Sequence, residues 1–281
     1  MYKIIDGKQT AEKYIEKLKQ EIDLMDTKPC LAVVLVGNDS ASQIYVNNKN
    51  KKAIALGMNS LVIKLPEETT ETELLNKIDE LNNDKEITAI LVQLPLPEHI
   101  NSQKVIETID ISKDVDGFNP YNIGKIAQNK EPISYPCTPL GIIKLLEEYE
   151  ISIEGKNIVV IGRSNIVGKP IALMLMNKNA TVTLAHSKTQ KLKEVTSKAD
   201  ILICATGQPK MVKADWIKDN AVIIDVGIRK GEDNKLIGDV DFEQVKEKCS
   251  YITPVPGGVG PMTIAMLMQN TVELHKKQNN Y

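Results

Sequence analysis

The segment that most constrains the fold is a glycine turn between an apolar run and a helical pattern. The apolar run covers 157–161, the turn Gly162-Arg163-Ser164-Asn165-Ile166-Val167-Gly168 follows, and 171–176 has the composition of a helix. A strand, a glycine turn and a helix in this order direct backbone N–H groups and a helix dipole at one spot, which suits a pyrophosphate. Because the order G-x-S-x-x-V-G departs from G-x-G-x-x-G, the turn by itself leaves a plain tight turn as the alternative.

The next predicted strand favours a dinucleotide that carries a 2′-phosphate. This strand, at 180–185, ends at His186, Ser187 and Lys188. An NAD site usually has Asp or Glu at this place, where the carboxylate bonds the ribose 2′-hydroxyl and repels a 2′-phosphate. Polar and basic residues stand there instead, with Arg163 in the opposite turn, and they favour NADP. The alternative is that Ser187 only caps the next turn and that Arg163 is a solvated surface residue.

Two further apolar runs, 201–205 and 221–226, predict strands of the same sheet. Ligands of open α/β sheets bind beyond the carboxyl ends of the strands, so residues directly after these runs are candidates for cofactor binding. The predicted cofactor-binding residues are Gly162, Arg163, Ser164, Gly168, His186, Ser187, Thr206, Gly207 and Ile228.

Composition excludes several classes of protein. A chain of 281 residues most naturally forms two domains, and its formal charge of −2 gives no basic field for nucleic acid. No segment approaches the roughly 20 apolar residues that span a membrane. We therefore expect a cytosolic protein with neither a nucleic-acid nor a membrane partner.

Cysteine and histidine spacing indicates neither a disulfide framework nor a metal site. The four cysteines lie far apart without a C-x-x-C pair, and the three histidines lack H-E-x-x-H spacing. His275 falls in a predicted terminal helix, where we expect it to be exposed.

Apolar runs alternate with helical patterns along the chain, which predicts an α/β fold. Helices are predicted at 8–24, 40–57, 72–82, 140–148 and 263–277, and strands at 31–36, 61–63 and 87–92. This alternation predicts two domains, each with a mostly parallel sheet, of which the second is Rossmann-like.

Two segments rich in glycine and proline interrupt this alternation. Residues 114–139 are predicted to be a functional loop or a domain connection, and 253–263 is predicted to be neither helix nor central strand. Pro261 suits the first turn of the last helix, whose apolar stripe is expected to pack against the first domain. The predicted domains are therefore 1–139 with 264–281, and 140–263.

Residues that suit acid–base or binding chemistry precede the cofactor turn. Tyr45 and Lys49 are four apart on a predicted helix, so they share one face and could relay a proton; otherwise a tyrosine packs beside a solvated lysine. Gln93 ends a buried run immediately before the prolines of 95–97 and could reach the same rim. Asp116 forms either an Asx turn or a partner for the donors of a polar heterocycle. Gly257 is either a loop residue or a point where backbone passes a flat ligand closely.

Six motifs in series resemble the bifunctional methylenetetrahydrofolate dehydrogenase/methenyltetrahydrofolate cyclohydrolase family. They are Ser42-x-x-Tyr45-x-x-x-Lys49, Gln93-Leu94-Pro95-Leu96-Pro97, Lys113-Asp114-Val115-Asp116-Gly117, Pro136-Cys137-Thr138-Pro139, Gly162-Arg163-Ser164-x-x-Val167-Gly168-x-Pro170 and Pro256-Gly257-Gly258-Val259-Gly260-Pro261-Met262-Thr263. The resemblance covers essentially the full length.

The resemblance implies a homodimer of two-domain subunits with folate in the cleft of each. It implies oxidation of 5,10-methylenetetrahydrofolate by NADP⁺, followed by hydrolysis of the methenyl product to 10-formyltetrahydrofolate. By the same resemblance, Lys49 is the catalytic amine, Tyr45 stacks on or orients the pterin, Gln93 supports Lys49, and Asp116 pairs with the amino edge of the pterin.

The resemblance also implies the roles of residues around the cofactor. Gly257, Pro261 and Thr263 are candidate substrate-binding residues, and Arg163 and Ser187 are expected to hold the 2′-phosphate. Two other functions stay open from the sequence alone: a shikimate-like two-domain NADP dehydrogenase, and a protein that binds NADP without catalysis.

Overall fold

Strands and helices alternate through the computed structural model, which describes residues 2–231 and 235–279. The strands are β1 Lys3–Ile4, β2 Cys30–Val36, β3 Asn59–Leu65, β4 Ala89–Val92, β5 Asn157–Ile161, β6 Thr181–Ala185, β7 Ile201–Cys204, β8 Val222–Asp225, β9 Arg229–Lys230, β10 Leu236–Ile237 and β11 Tyr251–Ile252. The helices are α1 Gly7–Asp23, α2 Ser40–Ala55, α3 Glu71–Asn83, α4 Ser102–Thr108, α5 Pro120–Ala127, α6 Cys137–Glu148, α7 Gly168–Asn177, α8 Leu192–Thr196, α9 Phe242–Val245 and α10 Val259–Asn279. The predicted α/β class is confirmed.

Residue contacts divide the chain into two units. The three-stranded unit comprises the described residues of Lys13–Lys125, Lys130–Cys137 and Leu267–Tyr281. The six-stranded unit comprises those of Met1–Glu12, Ile126–Asn129 and Thr138–Met266. The functional domain boundaries given above stay a prediction.

The three-stranded unit is built on a parallel sheet in the order β3-β2-β4. Every residue of β2 and β4 is buried, as expected for a parallel strand that is covered on both faces. Apolar residues of α3, such as Leu74 and Ile78, pack against Val34 and Ile90 in the core. Asp39 caps α2 by accepting a hydrogen bond from Ser42 N at 2.7 Å, which fixes the start of the helix directly after β2.

The six-stranded unit has a sheet in the order β1-β11-β8-β7-β5-β6. All its strand pairs are parallel, and β7 and β8 are wholly buried. Short connections through α7 and α8 place the carboxyl ends of β5, β6 and β7 along one rim, which is the binding edge of a Rossmann-like fold.

Three expectations about local structure are corrected. Within 114–139, α5 forms because Pro120 suits the first turn of a helix and Asn119 Oδ1 accepts the hydrogen bond of Tyr121 N at 3.0 Å. The last helix, α10, begins at Val259, inside the segment that was expected to be irregular. His275 is buried rather than exposed, since it bonds Thr27 Oγ1 at 3.0 Å within the three-stranded unit.

Candidate active site

Lys49 and Gln93 meet in the three-stranded unit. Lys49 lies in the third turn of α2, which follows β2, and Gln93 directly follows β4. The backbone N–H of Gln93 still donates to Val34 O at 2.9 Å, so its side chain is held at the end of the sheet. Lys49 Nζ donates a hydrogen bond to Gln93 Oε1 at 3.0 Å, and both side chains are half-buried. This geometry allows Gln93 to support Lys49, as the resemblance implies.

Tyr45 lies one helical turn before Lys49 on α2 and is half-buried. Burial raises the pKa of its phenol above the ordinary value. The hydroxyl therefore stays protonated at neutral pH and can donate a hydrogen bond to a ligand.

Asp116 lies close enough to Lys49 for the charges of the two side chains to interact. Burial raises the pKa of its carboxyl to about 6, although the ammonium of Lys49 and a hydrogen bond with Cys137 act in the opposite direction. The residue as a whole is half-buried. An ionised carboxylate beside an ammonium can accept charge-assisted hydrogen bonds from the donor groups of a ligand.

Asp114 holds the loop on which Asp116 lies. Its Oδ1 accepts from Gly117 N at 3.1 Å, and its Oδ2 accepts from Asn119 N at 2.8 Å and Asn122 Nδ2 at 2.9 Å. Gly117 is required here, because it has φ of +69° and a Cβ would lie 2.6 Å from Tyr135 C. The carboxylate of Asp114 thus holds this loop by accepting backbone N–H groups three and five residues further along the chain.

Two residues that support this loop were missed by sequence reasoning. Lys113 inserts its ammonium among the carbonyls of Leu81 and Asp84, at 2.9 and 2.6 Å. Asn270, on α10, donates through Nδ2 to the carbonyls of Val115 and Tyr135, both at 2.8 Å. Lys113 stands inside a motif that was recognised, but Asn270 lies 155 positions from Val115 and has no local signal.

The glycine turn after β5 excludes side chains at two points. Gly162 has φ of +117°, and a Cβ there would lie 2.1 Å from Ala205 O. A Cβ on Gly168 would lie 2.0 Å from Gly162 O. The turn therefore needs both glycines for its own packing, and it brings the ends of β5 and β7 together.

Ser164 organises the start of α7. Its Oγ accepts from Val167 N at 3.2 Å and from Gly168 N at 3.3 Å, and its carbonyl accepts from Lys169 N at 3.1 Å. These three N–H groups are thus bonded within the turn, which corrects the expectation that the first turn of the helix offers them to a pyrophosphate. An anion at this place has to use other donors of the turn and the helix dipole.

The end of β6 presents exposed polar groups. His186 N donates to Thr189 Oγ1 at 2.9 Å, and Lys188 N donates to His186 Nδ1 at 3.1 Å. The hydroxyl that stabilises this turn is thus that of Thr189, while Ser187 is exposed, as is Arg163 in the glycine turn. This arrangement argues against the alternative in which Ser187 only caps the turn.

Thr206 and Gly207 follow β7, and Ile228 follows β8 at the same rim. Asp239 Oδ2 accepts from Thr206 N at 2.6 Å, Thr206 Oγ1 at 2.9 Å and Gly207 N at 3.1 Å. Ile228 is 40% exposed, so its side chain is accessible to a ligand.

Gly257, Pro261 and Thr263 also belong to the six-stranded unit. Gly257 has φ of +105°, and its carbonyl accepts from Lys8 N at 3.0 Å. Pro261 lies in the first turn of α10, and Thr263 Oγ1 is 3.0 Å from Thr138 Oγ1. The predicted substrate-binding residues are thus divided between the units, since Tyr45 and Asp116 lie in the three-stranded unit.

In residues 2–231 and 235–279, no group of three or more His, Cys, Asp or Glu side chains has the arrangement of a metal site. None of the helices in that part of the chain has the length and apolar character needed to cross a membrane.

Comparison with known proteins connects both units to one family. The catalytic domain of tetrahydrofolate dehydrogenase/cyclohydrolase matches residues 5–116, and the NAD(P)-binding domain of the same family matches residues 136–279. The bifunctional protein FolD of Campylobacter hominis is 54% identical over 278 residues, which cover 98% of each chain.

Solved structures agree with this relationship. The bifunctional enzyme FolD of Campylobacter jejuni has a TM-score of 0.97 and 49% identity, with 99% of both chains covered. The methylenetetrahydrofolate dehydrogenase-cyclohydrolase of Trypanosoma brucei, solved with NADP and an inhibitor, has a TM-score of 0.96 and 35% identity over 100% of this chain and 99% of that one.

These matches extend over nearly the full length, as the six sequence motifs do, so the resemblance stated from the motifs is confirmed. They favour a folate enzyme over a shikimate-like dehydrogenase and over a protein that binds NADP without catalysis. The chain belongs to the tetrahydrofolate dehydrogenase/cyclohydrolase family.

Proposed function

We propose that this chain oxidises 5,10-methylenetetrahydrofolate with NADP⁺ and hydrolyses the 5,10-methenyltetrahydrofolate product to 10-formyltetrahydrofolate. The full-length family match supports both activities. The observation that carries the proposal is the 3.0 Å contact of Lys49 Nζ with Gln93 Oε1, beside the carboxylate of Asp116. We assign folate binding and catalysis to 1–139 with 264–281, and cofactor binding to 140–263.

Residues of the three-stranded unit recognise the pterin. Tyr45 combines an aromatic ring with a hydroxyl, so it can both stack on the flat pterin and orient it. In its ionised form, the carboxylate of Asp116 accepts hydrogen bonds from the donors on the amino edge of the pterin. Gly257, Pro261 and Thr263 complete the proposed set of substrate-binding residues, and Gly257 contributes backbone without a side chain that would block the ligand.

Residues of the six-stranded unit fit a dinucleotide with a 2′-phosphate. Gly162, Ser164 and Gly168 shape the turn after β5, while His186, Thr206, Gly207 and Ile228 stand at the ends of the neighbouring strands. Arg163 and Ser187 are exposed and supply a guanidinium and a hydroxyl for the 2′-phosphate, where an NAD site has a carboxylate. When bound, NADP⁺ accepts the hydride that leaves the methylene bridge carbon.

Lys49 acts mainly in the hydrolytic step. As a general base, the amine takes a proton from the water that attacks the methenyl carbon; the bond between this carbon and N5 then breaks, and N5 takes up a proton as the ring opens. The amide oxygen of Gln93 fixes the position of Nζ. Hydride transfer releases no proton from the substrate carbon, so that step needs positioning more than a base.

The two activities are tested separately on the purified chain. Methylenetetrahydrofolate is offered with NADP⁺ or with NAD⁺, and the appearance of reduced nicotinamide is followed by its absorbance. Hydrolysis of methenyltetrahydrofolate is followed without cofactor by the loss of its own absorbance. We expect both reactions, with NADP⁺ preferred; absence of either reaction contradicts the bifunctional assignment.

Substitution of Lys49 separates the two steps. We expect Lys49→Gln to lower the rate of hydrolysis by about 100-fold, the lower end of what a positioned base contributes, and to lower hydride transfer much less. Lys51→Gln is the matched control, because Lys51 lies on the same helix but is exposed. Equal losses in the two assays would contradict the role of Lys49 as the base.

We also propose that the chain is a cytosolic homodimer. The resemblance implies the dimer, and β6 supports it because this strand ends the strand order of its sheet and leaves one edge for pairing. All four cysteines are free thiols, as is usual for proteins of the reducing cytosol. Light scattering during gel filtration should give twice the chain mass of 31.2 kDa.

A further inference from the structure

Two buried carboxylates of the six-stranded unit have no role in the function described so far. Asp225 is the last residue of β8 and is 4% exposed, and Asp239 is fully buried. Within the described part of the chain, neither carboxylate forms an ion pair with a lysine or arginine. A buried carboxyl group without a cationic partner is costly to ionise, so the retention of two such groups at a binding rim points to a use.

Asp239 holds the turn that follows β7. One oxygen, Oδ2, accepts from Thr206 N, Thr206 Oγ1 and Gly207 N at 2.6, 2.9 and 3.1 Å. The other oxygen, Oδ1, is buried without a hydrogen-bond partner among the residues that the structure describes. A Cβ on Gly227 would lie 2.3 Å from Oδ1, so only glycine leaves room for the carboxylate there. The negative charge of Asp239 is therefore positioned by its contacts but only partly compensated by them.

Asp225 in turn holds the backbone of Asp239. Its Oδ1 accepts from Gly227 N and from Asp239 N, both at 2.9 Å, and its Oδ2 accepts from Val240 N at 2.9 Å. A Cβ on Gly238 would lie 2.0 Å from Asp225 Oδ2, so any residue other than glycine at this position would collide with the carboxylate. The end of β8 is thus connected, through Asp225 and Asp239, to the Thr206–Gly207 turn.

The strand order indicates which part of the cofactor lies above this turn. The proposed function places the 2′-phosphate at Ser187 after β6 and assigns the glycine turn after β5 to cofactor binding. Since the sheet continues from β5 to β7 and β8, a dinucleotide laid across the strand ends continues in that direction. The nicotinamide half then lies at the Thr206–Gly207 turn, above Asp239.

We propose that Asp239 is a positioning residue that favours the oxidised cofactor over the reduced one. It acts by holding the Thr206–Gly207 turn and by placing a buried negative charge below the nicotinamide half. The nicotinamide ring is cationic in NADP⁺ and neutral in NADPH, and a buried charge is weakly screened by solvent. The inference rests on the proposed function, because it needs NADP as the cofactor and Ser187 as the 2′-phosphate site.

The test compares the affinities of the two cofactor forms in Asp239→Asn. The amide oxygen keeps an acceptor for the turn, while the charge is removed. We expect the Kd of NADP⁺, measured by titration calorimetry, to rise about tenfold, as for the loss of one charged interaction, with a much smaller change for NADPH. The ratio of the two dissociation constants therefore changes, which a purely structural role of Asp239 does not produce. An unchanged ratio overturns the proposal.

Asp200→Asn is the matched control in the same sheet. Asp200 directly precedes β7, and its Oδ2 accepts from Asn157 N at 2.9 Å, at the opposite ends of β5 and β7 from the cofactor rim. This substitution also removes a carboxylate that bonds backbone, but we expect the ratio of the two dissociation constants to stay at the wild-type value. A shift of the ratio equal to that of Asp239→Asn would overturn the proposal.

Cofactor binding by the wild-type chain distinguishes failure of the proposed function from failure of the inference, and hydrolysis of methenyltetrahydrofolate reports on the other unit. We expect Asp239→Asn to hydrolyse this substrate at the wild-type rate, because Lys49 and Asp116 belong to the three-stranded unit. If the wild-type chain binds neither cofactor form, the proposed function fails and the inference fails with it. If the wild type binds both forms and Asp239→Asn keeps the same ratio, only the inference fails.

If Asp239→Asn does not fold, a second variant tests whether Asp239 positions the Thr206–Gly207 turn. Thr206→Val removes the hydroxyl that donates to Asp239 Oδ2 at 2.9 Å but leaves the charge in place. We expect it to weaken the binding of both cofactor forms by about threefold, with their ratio unchanged. Unchanged binding of both forms would overturn the positioning of the turn by Asp239.

Discussion

The carboxyl group of Asp116 is subject to opposing influences that tune its ionisation. Burial and the neighbouring carboxylate of Asp114 favour the neutral form, whereas the ammonium of Lys49 and the thiol of Cys137 favour the ionised form. Burial has the largest effect, so the pKa of Asp116 rises to about 6. The group is therefore ionised at neutral pH. It becomes protonated as the pH falls below about 6, and it then offers a hydrogen-bond donor where the ionised form only accepts.

Substrate affinity should follow this ionisation. The ionised carboxylate accepts hydrogen bonds from the pterin, whereas the protonated group offers a donor to an edge that already carries donors. We expect the KM for methenyltetrahydrofolate in the hydrolysis assay to be constant above about pH 7 and to rise about tenfold for each pH unit below about 6. The assay is run from pH 5 to 8 with the uncatalysed hydrolysis subtracted.

Two variants complete this pH experiment. Asp116→Asn should have a raised KM without pH dependence, because it cannot ionise. Asp110→Asn is the control, since Asp110 is an exposed carboxylate near the same loop and bonds Ser112 rather than Lys49. A flat wild-type profile between pH 5 and 8 would contradict the role of Asp116 in binding the pterin.

The connection from β5 to α7 depends on a glycine for two separate reasons, positive φ and close approach. Gly162→Ala adds a methyl group 2.1 Å from Ala205 O and also strains a backbone with φ of +117°. We expect NADP⁺ binding and dehydrogenase activity to fall at least tenfold, because relieving the contact moves the turn away from its position by β7. Hydrolysis of methenyltetrahydrofolate should persist, since Lys49 belongs to the other unit.

Gly155→Ala is the matched control for this connection. Gly155 also has positive φ, at +72°, but an added Cβ meets no atom within 4 Å. It therefore costs backbone strain without displacing a neighbour, and we expect lower stability with NADP⁺ affinity unchanged. If both alanine variants lose cofactor binding equally, the contact with Ala205 is not what positions the turn.

Sequence patterns predicted the elements that have strong periodicity and missed those that depend on the folded environment. The apolar runs of β2, β5 and β7 and the glycine turn are visible locally, because parallel strands are buried on both faces. Short strands such as β1 and β11 have two residues each and pair only after folding. The same distinction applies at the candidate site. The motifs named Lys49 and Asp116, but the loop support from Asn270 depends on a contact 155 positions away.

The pH dependence of stability combines contributions from both units. Carboxylates such as Glu71 and Asp200 have lowered pKa values because hydrogen bonds to Lys104 and Lys218, respectively, favour their ionised forms. The stability that these carboxylates contribute is fully present above the pKa of the unfolded chain, and it is lost as the pH falls through their lower pKa in the folded protein. Asp116 and Asp225 have raised pKa values, so their contribution has the opposite sign. The chain should therefore lose stability both in acid and on approach to neutral pH.

The contribution of Asp225 can be isolated by substitution. Burial raises its pKa to about 7, whereas the unfolded chain titrates near pH 4. Between these values the folded protein holds the extra proton, so the free energy of unfolding falls with rising pH by up to about 1.4 kcal/mol per unit.

Asn cannot ionise, so urea unfolding from pH 5 to 8 should show Asp225→Asn without this slope. Trp216 fluorescence reports the transition, because it is the single tryptophan and packs on the core of the six-stranded unit. Asp200→Asn should keep the wild-type slope in this window, since the pKa of Asp200 is lowered. Parallel curves for the wild type and Asp225→Asn would show that Asp225 is already ionised in the folded protein at pH 5.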